Sequence, residues 1–304
     1  PRSTPLYSST ASDVYKRQFF FPAREKGAAL GLNAAGGNLG TAAVQFAVPI
    51  VITLGAGLSL DRAGLMFIPL ALLAAVLAWR GMDNLSNAKS DPRAYAAALR
   101  HPHTWIISFI YIGTFGSFIG YSATFPTLLK NLFPDVTMSL AFMGALVGSV
   151  ARPFGGFLSD RVGGALVTCV SFVAMAVGAV GAIVGLQAQS FVIFFLSFLG
   201  LFVFTGIGNG AIYRMIPAVF SGTSASDRTS LVAAGRAAAG CIGIAGAVGA
   251  FGGFLIPQGF ALSRTLTGGL QSALWVMVGV YLVMLGVTWF VYLRRGSRLA
   301  DLKV

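Results

Sequence analysis

An arginine inside an apolar stretch demands an explanation, and Arg152 is the clearest case in this sequence. It stands eight residues before Asp160, the first charge of the adjoining polar loop. At about 1.5 Å of helix rise per residue, that puts it ~12 Å into a hydrocarbon core about 30 Å thick. A guanidinium at that depth is costly unless it faces a cavity or a partner. Beyond the first eighteen residues, the carboxylates from Glu25 to Asp301 all fall in loops or at span ends, so none is placed to pair with it. Two readings follow. One is a structural contact to helices outside this chain. The other is a bound anion, because the guanidinium fork suits a planar oxyanion through paired hydrogen bonds. Arg214 and Arg236 lie close enough to span ends to reach the interface with their charged heads.

Uncharged polar groups accompany that charge. The stretch Gly31–Gly40 (GLNAAGGNLG) places Asn33 and Asn38 inside a helix among residues without bulk. Asparagine offers donors and acceptors without a charge, so it helps hold an anion at a lower desolvation cost. Tyr111 offers a hydroxyl, and Phe115, one turn on, an aromatic face; such rings more often simply pack. Gly240, Gly243, Gly246, Gly249 and Gly252 recur every three residues. Close helix–helix packing accounts for most of that stripe. One or two of these glycines could instead let a substrate approach bare backbone.

The elements that must position these residues are transmembrane helices. Apolar runs of about 20 residues predict eight of them, at roughly 27–54, 64–80, 104–129, 136–158, 165–187, 190–213, 236–257 and 271–293, with Pro69 bending the short second one. Composition agrees: 56% of residues are hydrophobic and only 10% charged, with 39 glycines. Soluble domains carry about 25% charge, so a soluble enzyme, a disordered chain and a secreted disulfide scaffold are all excluded. The loops holding Arg80, Lys89, Arg93, Arg100, Arg161 and Arg294 are far more basic than the opposite set, which holds Arg62, Lys130 and Arg264. The first set is therefore cytoplasmic, and an even number of spans brings the C-terminus there too. Trp79, Trp275, Trp289 and Tyr292 lie at span ends, where an aromatic belt belongs.

The net charge of +12 follows this loop asymmetry, and no basic run with interleaved aromatics points to nucleic acid. Cys169 and Cys241 fall inside apolar segments as small buried side chains, not as a disulfide or metal pair. His101 and His103 flank Pro102 at a segment start and read as interfacial. No metal site or cofactor is expected. An intramembrane enzyme would need a nucleophile–base pair or metal ligands within the spans, and the spans hold neither. They also hold no midplane Asp, Glu or His to carry a proton, which leaves anion exchange, or symport through other groups. Residues 1–18 are polar and Ser/Thr-rich, have no apolar core of a signal peptide, and resemble translated adaptor sequence rather than native chain. The remaining divisions are two helices over 19–80, a cytoplasmic linker over 81–103, a six-helix bundle over 104–293 and a cytoplasmic tail over 294–304.

Taken together, these stretches resemble the nitrate/nitrite porter family of the major facilitator superfamily. Gly31–Gly40 resembles the family's first nitrate motif, on its fifth helix. Gly206–Pro217 (GIGNGAIYRMIP) and Gly249–Pro257 (GAFGGFLIP) resemble its second conserved region, on helices ten and eleven. Ala151–Gly164 (ARPFGGFLSDRVGG) is similar to helix eight running into the superfamily's cytoplasmic loop. The resemblance covers residues 19 to 293. It implies an all-α membrane protein of the major facilitator fold with about eight of twelve helices present: the last two of the N-terminal half and the whole C-terminal half.

The resemblance also implies a monomeric, multi-pass secondary transporter of the bacterial inner membrane. It would move nitrate or nitrite by alternating access, with a carrier of another small anion, such as an organic carboxylate, as the alternative. In the family two arginines clasp the anion. Arg152 matches the one on the eighth helix; Asn38, Tyr111, Phe115 and Gly243 match substrate-side residues, and Asn33 and Asn209 belong to the same motifs. Gly246 stands where some relatives carry serine. The second arginine belongs to the family's second helix, so the chain as written is expected to be inactive without further N-terminal helices.

Overall fold

The computed structural model describes residues 26–55, 57–81, 92–224 and 228–294, with Leu299 and Val304. The expected tail over 1–18, residues 82–91 of the linker and most of the C-terminal tail lie outside the described residues. What is described is helical, with no strand among the described residues. Eight segments are long and apolar enough to cross a membrane. They are α1 (Lys26–Thr53), α2 (Arg62–Gly81), α3 (Pro102–Leu132), α4 (Met138–Val162), α5 (Gly164–Gln187), α6 (Phe191–Gly222), α7 (Ser230–Thr267) and α8 (Gln271–Leu293). A short helix, Pro92–Arg100, precedes α3.

The number of spans and their order follow the hydropathy reading; some bounds do not. α2 breaks at Met66 rather than bending at Pro69. Proline lacks the N–H that would bond back to Leu65, so the interruption falls one turn earlier. α6 runs nine residues past the expected end, through Pro217 to Gly222. The seventh segment is the largest departure: helix from Arg228 to Ala250, an interruption at Phe251, then helix again to Thr267. A bilayer needs only about 20 residues of helix, so an apolar window finds the crossing and misses the extensions beyond it. Arg236 therefore sits two turns inside a helix, on an exposed face, and does not start one.

The core lies between α3, α4, α5, α6 and α8, filled by Phe118, Phe125, Phe172, Phe194, Phe198 and Phe202, all fully buried. α6 packs between α4 and α5, and α1 lies along α4. α2 buries none of its residues. The seam between α4 and α6 is backbone against backbone. A side chain at Gly206 would collide with the Gly148 carbonyl, and one at Gly210 with the Arg152 carbonyl. Small residues permit this approach, and dispersion between the two helices then holds it. Further along the same seam Arg214 Nε donates to Asp160 Oδ1 at 3.0 Å, so Arg214 is tied by an ion pair rather than simply reaching for the interface.

Other side chains fall largely where their chemistry suggests. Cys169 and Cys241 are free and buried. Trp79, Trp275 and Trp289 are exposed, as members of a belt are, but Tyr292 is fully buried. Its hydroxyl lies 3.1 Å from His103 Nδ1, so it closes the inner end of the bundle instead of marking the membrane surface. His101 stacks on Phe220, with ring centroids 4.5 Å apart.

Candidate anion site

Arg152 comes from the middle of α4, on the face that meets α6. It is 2% exposed and is the largest fully buried side chain among the described residues. Its Nη2 donates to the Tyr111 hydroxyl at 2.8 Å. The guanidinium carbon lies 4.7 Å from the centroid of the Tyr213 ring and 5.7 Å from that of Phe115. Nε has no partner, and no carboxylate among the described residues is within ion-pair distance. Aromatic faces attract the cation and shield it from lipid, but they offer nothing to its N–H donors. The charge is thus framed without being neutralised.

The rings that frame it are set by α3. From Ile112 to Gly116 that helix is wound as a π-turn, which sits between two ordinary helical stretches. Wide turns of this kind concentrate at functional sites, because they re-aim side chains and release backbone groups. Tyr111 and Phe115, at either end of the turn, stack with centroids 5.0 Å apart and planes 12° apart. Tyr213 meets Tyr111 edge-on at 5.7 Å. α7 approaches from the other side: a Cβ on Gly249 would stand 2.9 Å from Tyr111 Cδ1 and 3.1 Å from Phe115 Cδ1. Only a bare backbone leaves those two rings in place.

Of the residues expected from sequence, the structure brings Arg152, Tyr111 and Phe115 into one cluster. Asn209 is fully buried one turn before Tyr213 on α6, and neither atom of its carboxamide has a partner. Asn38 is half-buried on α1. Phe46 of α1 meets Phe142 of α4 edge-on at 4.9 Å. Asn38 lies about two turns before that contact on α1, the helix that packs along the one carrying Arg152. Asn33 lies more than a turn further along α1, and Gly243 is exposed, with only Tyr95 of the linker helix beside it. Gly243 is thus not brought to the arginine, and the Asn33 side chain lies outside the described residues. The glycine of the stripe that touches the cluster is Gly249, and Tyr213 is the ring the sequence reading missed. Its signal was present: Tyr213 follows Asn209 by four residues, the spacing that puts two side chains on one helix face.

Among the described residues, then, a bundle of apolar helices encloses one fully buried cation that no carboxylate neutralises, with the bare backbone of Gly249 against its rings. No family model matches the chain. The nitrate/nitrite transporter NarU of Escherichia coli (strain K12) is 35% identical to it, over 94% of this chain and 68% of that protein. The probable nitrate/nitrite antiporter NarK2 of Thermus thermophilus is 34% identical, over 92% of this chain and 66% of that protein. Among solved structures, the major facilitator superfamily transporter FucP in its outward conformation matches with a TM-score of 0.56 at 13% identity, over 91% of this chain and 71% of that one. That likeness speaks to the fold alone. The chain belongs to the nitrate/nitrite transporter family, and it shares its fold with that major facilitator superfamily transporter.

Proposed function

We propose that the full-length protein carries nitrate and nitrite across the bacterial inner membrane as a monomer, with the Arg-rich loops and C-terminus of this chain in the cytoplasm. Arg152 holds the anion through Nε and the free edge of its guanidinium. Tyr111 fixes the fork, Phe115 and Tyr213 form the walls, and Asn209 and Asn38 supply neutral donors. Gly243 is left out of the site, because its neighbour is Tyr95 of the linker helix and not the arginine. The observation that carries this reading is the buried guanidinium with an unused N–H and no carboxylate beside it among the described residues. An arginine so placed costs free energy unless a counter-charge arrives, and a planar oxyanion presents the paired oxygens the fork can bind. Exchange of one anion for another needs no proton carrier, and the cluster around Arg152 contains none.

The test is Arg152→Lys in the full-length protein, with nitrate and nitrite uptake followed in cells lacking their own carriers. Lysine keeps the charge and loses the fork, so uptake should fall by more than about a hundredfold. Near-normal uptake would remove Arg152 from the site and the reading with it.

A further inference from the structure

A carrier that alternates must close one side of its site with contacts firm enough to hold and weak enough to release. Pro126 makes room for such a contact. It lies inside α3 and has no N–H, so the Ser122 carbonyl, one turn back, loses the donor that helical winding would supply. Ser122 is buried, and a buried carbonyl without a donor is costly. Here the donor comes from another helix. Gln45 of α1 donates from Nε2 to the Ser122 carbonyl oxygen at 2.7 Å, across 77 residues of sequence that include the linker.

The bond lies to one side of the anion site. On α3, Ser122 comes eleven residues after Tyr111, about three turns or ~16 Å further from the linker. Tyr111 holds Arg152, so the order along α3 is basic linker, anion site, then Ser122. On α1, Ala42, Gln45 and Phe46 share one helix face. Phe46 meets Phe142 near the start of α4, and Ala42 is 2% exposed. The hydrogen bond and the ring contact thus join the helix before the linker to two that follow it.

This fastening is only half made. Gln45 Oε1 and Ser122 Oγ are both covered, and neither has a partner. Ser108, Ser149, Ser159 and Ser171 donate to the carbonyl four residues back, as helical serines commonly do, but Ser122 does not. Parting α1 from α3 therefore breaks one hydrogen bond and lets two bare polar groups reach water. The two effects offset each other, so the closed arrangement holds without being locked. Resting on the reading of the protein as an alternating carrier of nitrate and nitrite, we infer that the Gln45–Ser122 bond is a releasable latch. It closes the anion site on the side away from the Arg-rich loops.

The test uses purified full-length protein carrying Ala42→Cys, treated with a water-soluble maleimide, with the modified peptide followed by mass spectrometry. Labelling of this parent should be slow. Gln45→Met keeps the length and removes the donor, so labelling should speed up by about fivefold. With Pro126→Ala in the background, the Ser122 carbonyl gains an N–H from its own helix, and Gln45→Met should then change the rate by less than about twofold. If Gln45→Met does not fold, Gln45→Asn, one methylene too short to reach, decides in its place. Rapid labelling of the parent, an unchanged rate on losing the donor, or equal acceleration in both backgrounds overturns the latch, even where nitrate exchange is normal. Exchange of nitrate for nitrite by the unsubstituted protein in lipid vesicles is measured alongside. Its absence overturns the carrier reading, and the latch with it.

Discussion

Ser117 and Thr114 sit one turn apart on α3, both fully buried, and their hydroxyls have opposite fates. Ser117 Oγ lies 2.8 Å from the Tyr281 hydroxyl of α8, which also bonds the Tyr121 hydroxyl. Every member of that ladder is matched within the protein. Thr114 is the reverse: its hydroxyl has no partner, and the Asn209 carboxamide of α6 and Arg152 Nε of α4 have none either. Buried polar groups left without partners cost about 1–3 kcal/mol each, so a fold keeps few of them without a use. The ladder ties α3 to α8 and needs nothing from outside. Unpartnered groups such as the Ser122 hydroxyl occur elsewhere among the described residues, so what sets Arg152 apart is a buried charge with an open N–H and no counter-charge beside it.

This contrast can be attacked at three levels. The most damaging change is Gly210→Ala, which drives a methyl into the Arg152 carbonyl and to 2.7 Å from the Gly156 nitrogen. Both are backbone atoms that cannot step aside, so a cost above ~4 kcal/mol is expected. Size-exclusion chromatography should then recover no monodisperse protein, and a well-behaved peak would show that the α4–α6 seam is looser than its geometry. Tyr281→Phe is intermediate. It strands the Ser117 and Tyr121 hydroxyls and should lower the melting temperature by about 3–8 °C. Anion binding should not change; a selective loss of affinity would make the ladder part of the site.

The smallest effect belongs to His101, outside the spans, where partial burial against Phe220 lowers its pKa below the usual 6.5. The folded state therefore disfavours the charged form. Stability is full above the unfolded value and declines as pH falls through the lowered one. His101→Gln should remove that decline, worth no more than about 2 °C in a melting curve taken below pH 6.5. An unchanged pH profile would show that burial at this position has no energetic weight.

Much of the fold was legible in the sequence, because the bilayer enforces it. A helix must cover a fixed thickness with apolar side chains, so eight crossings could be counted, and Arg152 recognised as out of place among them. Where the bilayer exerts no constraint, the reading lost its hold: on the extensions of α6 and α7 and on buried Tyr292. The glycine stripe shows the limit well. Gly243, Gly246 and Gly249 are indistinguishable as sequence, yet Gly243 faces the linker helix, Gly246 has open space beside it, and Gly249 touches the rings of the site.

What the sequence determined by itself was the class of protein, the spans and the one cation that apolar surroundings cannot tolerate, since these follow from local composition and length. Only the tertiary structure decided which neighbours that cation has, that α3 changes its winding from Ile112 to Gly116, and that Thr114 and Asn209 are left unpaired. Those facts depend on how helices distant in the chain come into register. Register is set by contacts such as Phe202 on Phe118, which no local pattern encodes.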